Sequence, residues 1–216
     1  MLGLLVKDFR LLSNQKQFFA IIVLISIFLV LSGQEVSYAV VYCTMMAIFF
    51  TISTVNYDEY NNGYAFMFTM PITRRQYAIE KYLFASVTGG STWLLTTIVG
   101  YFYGNMRDGL VASEWFAESA LALMALGAVM CVMLPIQLKF GAEKGRIAVF
   151  AAVIIVTAAA MMIERGMGKI HISSQWLDLL FNMNMTGKVL LGGIVFVLFV
   201  AVSIFTSIHI VEKKQF

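Results

Sequence analysis

Long uninterrupted apolar runs are the feature that most constrains the fold of this chain. A helix that crosses the hydrocarbon core of a bilayer needs about 20 mostly apolar residues. The chain has six segments that reach or approach this length, at residues 18–33, 36–55, 82–103, 115–138, 147–163 and 189–211. The first is short, but the long side chain of Lys16 can reach the headgroups. The runs therefore predict six transmembrane helices.

Sparse charge agrees with a membrane protein and excludes several soluble classes. Charged residues make up 12% of the 216 residues, which is about half the roughly 25% typical of soluble domains. A net charge of only +3 argues against a nucleic-acid partner. Cys43 and Cys131 both lie in apolar runs and are interpreted as small core residues. We predict an all-α integral membrane protein with a single domain, 1–216.

The positions of the basic residues predict the orientation in the plasma membrane. Cytoplasmic connections carry an excess of Lys and Arg. Of the 15 basic residues, 11 lie at the ends that share a side with the N-terminus, and 4 lie on the other side. Both termini are therefore predicted to be cytoplasmic, together with the connections 56–81 and 139–146.

The first sixteen residues have an amphipathic pattern. Their apolar face consists of Leu2, Leu5, Phe9 and Leu12, and their polar face consists of Lys7, Arg10 and Asn14. Such a helix lies in the plane of the membrane interface. We therefore predict an interfacial elbow helix over residues 1–16, with a frayed basic tail as the alternative.

The connection 56–81 is predicted to contain two short helices rather than a slack loop. Tyr60, Tyr64 and Met67 share one helical stripe, and Pro71 then ends the first helix. Thr73 with Gln76 three residues later forms a capping-box pattern, which starts a second helix that runs into the third span.

Arg74 and Arg75 occupy the first turn of this second helix, where the helix dipole disfavours cations. We therefore expect them to meet lipid phosphates or the carboxylates of a partner. The alternative is that they are ordinary interfacial arginines.

The sequence contains none of the catalytic motifs expected of a membrane enzyme or an ATPase. Neither Gly168-Lys169 nor Gly187-Lys188 is followed by Ser or Thr, so there is no nucleotide-binding P-loop. The six predicted spans have no ionisable residue away from their ends, which argues against coupling to protons or sodium ions. We expect the chain to have no enzymatic activity of its own.

One stretch of the chain carries a family likeness. It runs Asp58-Glu59-Tyr60-Asn61-Asn62-Gly63, then Phe66-Met67-Phe68-Thr69-Met70-Pro71-Ile72-Thr73-Arg74-Arg75, then Glu80-Lys81-Tyr82. This stretch resembles the permease subunit of ABC-2 type exporters, where an acidic-Gly segment leads to a Leu-Pro-Ile-Ser-Arg turn and a basic residue enters the third span. Here Met70 and Thr73 replace the Leu and the Ser. The short connections look most like the permeases of the phenol-soluble modulin exporter, which move amphipathic toxin peptides out of Gram-positive bacteria.

The resemblance implies a division of labour between subunits. A separate ABC ATPase would bind ATP and magnesium and contact a coupling helix in 56–81, while this chain would hold no cofactor. A second permease, identical or a close paralogue, would complete the path for an amphipathic peptide. The implied coupling residues are Asp58, Glu59, Tyr60, Asn62, Gly63, Tyr64, Phe66, Met67, Arg74 and Arg75. The alternative is a non-transport membrane anchor, sensor or assembly protein that uses the same cytoplasmic helices for docking.

Overall fold

A computed structural model describes residues 2–60, 63–67, 69, 71–167 and 185–213, with 65–66, 108, 142–143, 146 and 148–167 described by backbone alone. The helices are α1 (Leu2–Asn14), α2 (Lys16–Leu31), α3 (Val36–Glu59), α4 (Gly63–Met67), α5 (Arg74–Asp108), α6 (Ala112–Met167) and α7 (Met185–Lys213). The part of the chain that the structure describes contains no strand. The predicted all-α class is therefore confirmed for those residues.

Four helices are long and apolar enough to cross a membrane: α3, α5, α7 and the Ala112–Gly141 part of α6. A fifth candidate exists if α1 and α2, which meet at a bend of 64°, count as one broken span. By itself α2 is only about 24 Å long, which is less than the roughly 30 Å hydrocarbon core. The predicted span 147–163 falls in backbone-only residues of α6. The count of six spans therefore stays a prediction.

The largest core lies at the end of the bundle where α3 stops and α5 starts. Its buried residues include Leu4 of α1, Val55 of α3, Tyr64 of α4, Tyr77 of α5, Leu134 of α6 and Val211 of α7. A smaller cluster at the opposite end joins the starts of α3 and α6. Described residues of the connection 56–81, among them Tyr64, Met67, Tyr77 and Ala78, thus belong to the main core.

The N-terminal helix is present, and it packs on the protein through the side that carries Leu4 and Asp8. Its buried residues are Leu4 and Asp8, whereas Leu2 is 80% exposed and Phe9 is 40% exposed. Leu2 and Phe9 of the predicted apolar face thus lie outside the core, and the side of α1 that packs on the protein carries a carboxylate. Its position in the membrane interface stays a prediction.

The predicted helix from Asp58 to Met70 is not continuous. Helix α3 runs on to Glu59, and Tyr60 follows in an extended conformation. Gly63 then passes so close to the carbonyl of Asp58 that a Cβ atom would not fit there. Asp58 and Glu59 therefore belong to the last turn of a membrane helix, and the separate helix α4 starts only after this turn.

The predicted start of the second helix is confirmed. The Thr73 hydroxyl accepts a hydrogen bond from the Gln76 backbone N–H, and the Gln76 side chain accepts one from the Thr73 N–H, each at 3.2 Å. This capping box begins α5, which continues through the third predicted span to Asp108. Gly109 ends it in the left-handed conformation.

The predicted connection 139–146 consists of helical backbone with one break. The helical backbone of α6 continues through it except at Gly141, where φ is 77° and ψ is −174°. A single glycine in this conformation breaks the helix without adding a connecting segment, since residues with a Cβ rarely adopt positive φ.

A hydroxyl network joins α5, α6 and α7 inside the bundle. The Tyr82 hydroxyl lies 2.5 Å from Ser203 Oγ and 2.7 Å from Ser207 Oγ. Ser203 also donates a hydrogen bond to the carbonyl of Cys131 at 2.5 Å. All three hydroxyl groups belong to buried residues, so their hydrogen bonds have no water to replace them.

We expect Tyr82→Phe to lower the free energy of unfolding by about 1–3 kcal/mol, because it leaves Ser207 without its buried partner. Thermal unfolding of the purified chain in lipid nanodiscs measures the loss. Tyr38→Phe is the matched control, since Tyr38 is 56% exposed. Equal melting temperatures for the two variants would contradict this assignment.

Candidate functional site

Five charged residues meet where α1, the end of α3 and the start of α5 converge. This charge cluster consists of Lys7, Asp8, Asp58, Glu80 and Lys81. Asp58, Glu80 and Lys81 belong to the region 56–81, and Lys7 and Asp8 belong to the helix that packs against it. We therefore treat the charge cluster as the centre of the candidate coupling site.

Lys81 is the hub of the charge cluster. Its side chain is fully buried, and its Nζ lies 2.5 Å from Asp8 Oδ2 and 2.8 Å from Asp58 Oδ2. The same ammonium donates to Thr54 Oγ1 at 3.1 Å. Its three N–H donors are therefore all used, as a buried charge requires.

Lys7 closes the charge cluster at its outer edge. Its side chain is 38% exposed and pairs with Asp58 Oδ1 and, at 3.2 Å, with Asp8 Oδ1. The N-terminal helix is thus tied to α3 through Lys7–Asp58 and to α5 through Asp8–Lys81. These ion pairs connect segments far apart in the chain.

Two buried tyrosines attach α4 to the charge cluster. The Tyr77 hydroxyl donates to Asp58 Oδ2 at 3.2 Å and lies 3.4 Å from the Tyr64 hydroxyl. The two rings are edge to face at 5.7 Å, and the Lys81 Nζ lies 5.2 Å from the centre of the Tyr77 ring. Burial raises the pKa of the Tyr64 hydroxyl, which keeps it protonated as a hydrogen-bond donor.

The predicted stripe of coupling residues is divided between the surface and the core. Tyr60 is 74% exposed, whereas Tyr64 is 6% and Met67 is 8% exposed. The expectation that Tyr64 and Met67 share an exposed stripe with Tyr60 is therefore wrong, because the turn after Glu59 rotates α4 toward the core. Asn62 lies outside the described residues, and Phe66 is described by backbone alone.

The two arginines of the first turn of α5 differ in their surroundings. Arg74 donates a hydrogen bond to the backbone carbonyl of Glu212 at 2.7 Å, so it has a partner within the chain at the end of α7. Arg75 is exposed, and its contact with a lipid or a partner stays a prediction.

The break in α6 lies against the end of α3. A Cβ atom on Gly141 would stand 2.7 Å from Glu59 Oε2, so the Glu59 carboxylate occupies the space beside the break. Nearby, the Gln137 amide donates to Asn56 Oδ1. The last turn of α3 therefore contacts the charge cluster on one side and the α6 break on the other.

Sequence reasoning missed Asp8 as a site residue, and its spacing could have revealed it. Asp8 is one turn after Leu4, and both are buried on the same side of α1. A carboxylate at this spacing indicates an inward-facing charge that needs a cationic partner. Among the described residues no group of three or more metal ligands occurs.

A bundle of long apolar helices with a buried charge cluster at one end defines a polytopic integral membrane protein. The family model described as ABC-2 family transporter protein matches residues 3–212, and the chain belongs to this family. Neither the curated proteins nor the solved structures contain a match to the chain. Members of this family are the transmembrane components of ABC transporters and have no catalytic activity of their own, and membership implies a partner ATPase and a lipid bilayer.

Proposed function

We propose that this permease exports amphipathic peptides, in the manner of phenol-soluble modulin-like toxins or peptide antibiotics, when paired with a separate ATPase and a second permease. Its termini and the 56–81 region face the cytoplasm, where the ATPase binds ATP and magnesium. The observation that carries the proposal is the exposed Tyr60, which follows a turn held by buried charges.

The buried charges provide a rigid base for a docking surface. Asp58 is held by Lys7, Lys81 and Tyr77, and it directly precedes Glu59 and Tyr60. Exposed aromatic and arginine side chains supply most of the binding energy at protein interfaces. Tyr60 and Arg75 are therefore the proposed ATPase contacts, while Asp58 and Tyr64 position them.

The apolar surface of the bundle supports an amphipathic substrate. A cavity of about 440 Å³ lies between α2, α3 and α5, and residues such as Val23, Ile27, Val40, Leu95 and Val99 line it. Cavities of this size and polarity bind apolar groups. The apolar face of a helical peptide matches these walls better than a small polar solute does.

Docking is tested by Tyr60→Ala in a permease reconstituted with its partner ABC ATPase. Loss of a central aromatic anchor costs about 2 kcal/mol, so we expect the dissociation constant to rise roughly 30-fold. Tyr38→Ala is the matched control, because Tyr38 is also an exposed tyrosine but lies at the opposite end of α3. Surface-immobilised nanodiscs give the affinities.

Tyr64→Ala tests whether Tyr64 positions the docking surface or contacts the ATPase itself. We expect it to lower thermal stability, because Tyr64 is buried, with a smaller loss of affinity per folded molecule than Tyr60→Ala. Unchanged ATPase affinity and peptide export in Tyr60→Ala and Arg75→Ala would reject the docking surface. Normal ATPase affinity for the wild-type chain without peptide export would favour the membrane-anchor alternative.

A further inference from the structure

Glu80 is the member of the charge cluster with no hydrogen-bond donor. Its side chain is fully buried, and among the described residues no donor bonds to either of its carboxyl oxygens. The nearest cation is Lys81, whose Nζ lies 3.6 Å from Glu80 Oε2. That distance is longer than a hydrogen bond.

The charges of the cluster do not balance if every group is ionised. Asp8, Asp58 and Glu80 supply three carboxylates, whereas Lys7 and Lys81 supply two ammonium groups. The donors of Lys81 already reach Asp8, Asp58 and Thr54, and the Tyr77 hydroxyl is bonded to Asp58. An ionised carboxylate without a donor is costly in a buried site.

Glu80 and Asp8 flank the same ammonium group, since Lys81 Nζ lies 3.6 Å from Glu80 Oε2 and 2.5 Å from Asp8 Oδ2. Ionised carboxylates only accept hydrogen bonds, so a hydrogen bond between these two groups requires a proton on one of them. Asp8 Oδ2 accepts from Lys81 at 2.5 Å, while Asp8 Oδ1 has no hydrogen bond among the described residues. Asp8 is thus stabilised as the anion, and Glu80 is the group left to carry the proton.

We propose that Glu80 and Asp8 form a buried proton-binding site, in which protonated Glu80 donates to Asp8 Oδ1 and fastens α1 to α5. The ligand is a single proton, and no other co-reactant takes part. This inference does not depend on peptide export or on the ATPase contact, since the cluster lies entirely within one chain.

The direction of the pH effect follows from proton linkage. The docked state binds one proton more than a state in which α1 has left α5, so its stability falls as pH rises. Deprotonation would leave Glu80 and Asp8 as adjacent anions that repel each other. The other titratable groups in the cluster or beside it are Lys7 of α1, Asp58 and Glu59 of α3, Tyr64 of α4, and Tyr77 and Lys81 of α5.

Thiol labelling of the full chain in nanodiscs reports the docking of α1. Leu4→Cys places a thiol at a position that is 4% exposed, and Ser13→Cys places one at an exposed position of the same helix. Both variants carry Cys43→Ala and Cys131→Ala. The measured quantity is the labelling rate of Leu4→Cys divided by that of Ser13→Cys. Because both thiols ionise as pH rises, this ratio removes the effect of thiol ionisation.

We expect this ratio to increase about tenfold or more between about pH 6 and about pH 9. Glu80→Gln should keep the ratio low and independent of pH, because the amide donates to Asp8 and does not titrate. Glu114→Gln, at an exposed acid on α6, should retain the pH dependence of the parent.

Infrared spectroscopy provides a second test that does not depend on labelling. The parent chain should show a protonated-carboxyl stretching band near neutral pH, and Glu80→Gln should lose it. An unchanged band, or the same pH dependence of labelling in the parent and Glu80→Gln, would overturn the proton-binding site. ATPase affinity is not measured, so failure here leaves the proposed docking surface untouched.

Discussion

Lys81→Met is expected to destabilise the folded permease by about 3–5 kcal/mol, because it removes one partner from a buried ion network. The Lys81 ammonium is the direct cationic partner of both Asp8 and Asp58. Without it, the 3.2 Å contact with Lys7 is the one ion pair left to Asp8 among the described residues. Methionine nearly preserves the volume of the side chain, so the loss of stability measures the effect of removing the positive charge.

Two further variants make this test specific. Lys7→Met should cost much less, because the Lys7 side chain is 38% exposed and water can solvate the charges it leaves. Adding Asp8→Asn to Lys81→Met should recover part of the lost stability, since it removes an uncompensated anion. Thermal unfolding in nanodiscs measures all three. Equal losses for Lys7→Met and Lys81→Met would contradict the role of Lys81 as the hub.

Gly141→Ala is expected to have the second largest effect, through two separate terms. Its backbone conformation, with φ 77° and ψ −174°, is one that glycine alone adopts readily and costs other residues about 1–3 kcal/mol. The new Cβ would also displace the Glu59 carboxylate. We therefore expect a loss of stability and a shift of the end of α3, on which Tyr60 depends.

Gly109→Ala serves as the matched control. Gly109 also has a positive φ, 67°, but a Cβ there would meet nothing within 4 Å. Gly109→Ala should lower the free energy of unfolding by about 1–2 kcal/mol, because of the backbone conformation alone. Adding Glu59→Ala to Gly141→Ala should relieve the steric term and bring its loss nearer to that of Gly109→Ala. No recovery in this double variant would show that Glu59 does not restrain the break.

Local signals were predictable from sequence, whereas burial and pairing were not. Thr73 and Gln76 lie three residues apart, and their reciprocal hydrogen bonds form within one helical turn. The contact between Lys81 and Asp8 spans 73 residues, and no periodicity within a helix encodes it. Apolar length likewise predicted membrane helices but not their ends, so Asp58 was assigned to a connection.

The candidate site shows the same difference between local signals, which the sequence carries, and tertiary packing, which it does not. Helical spacing alone placed Tyr60 and Tyr64 on one face, but that argument requires the helix to be unbroken between them. Gly63 and the extended Tyr60 interrupt it, and tertiary packing then decides which tyrosine is buried. The break at Gly141 was also hidden, since a glycine within an apolar helix is compatible with continuous helix.

The length of α5 has a mechanical consequence. Its 35 residues form a rod about 52 Å long, well beyond the roughly 30 Å hydrocarbon core, and it contains no proline. Gly89 packs against Ile48 of α3 near the middle of this rod. A rod pivoting there has arms of about 22 Å toward Arg74 and about 28 Å toward Asp108. For such a pivot, pushing the Arg74 end sideways by 1 Å would swing the far end about 1.3 Å the opposite way, which is the motion of a lever across the bilayer.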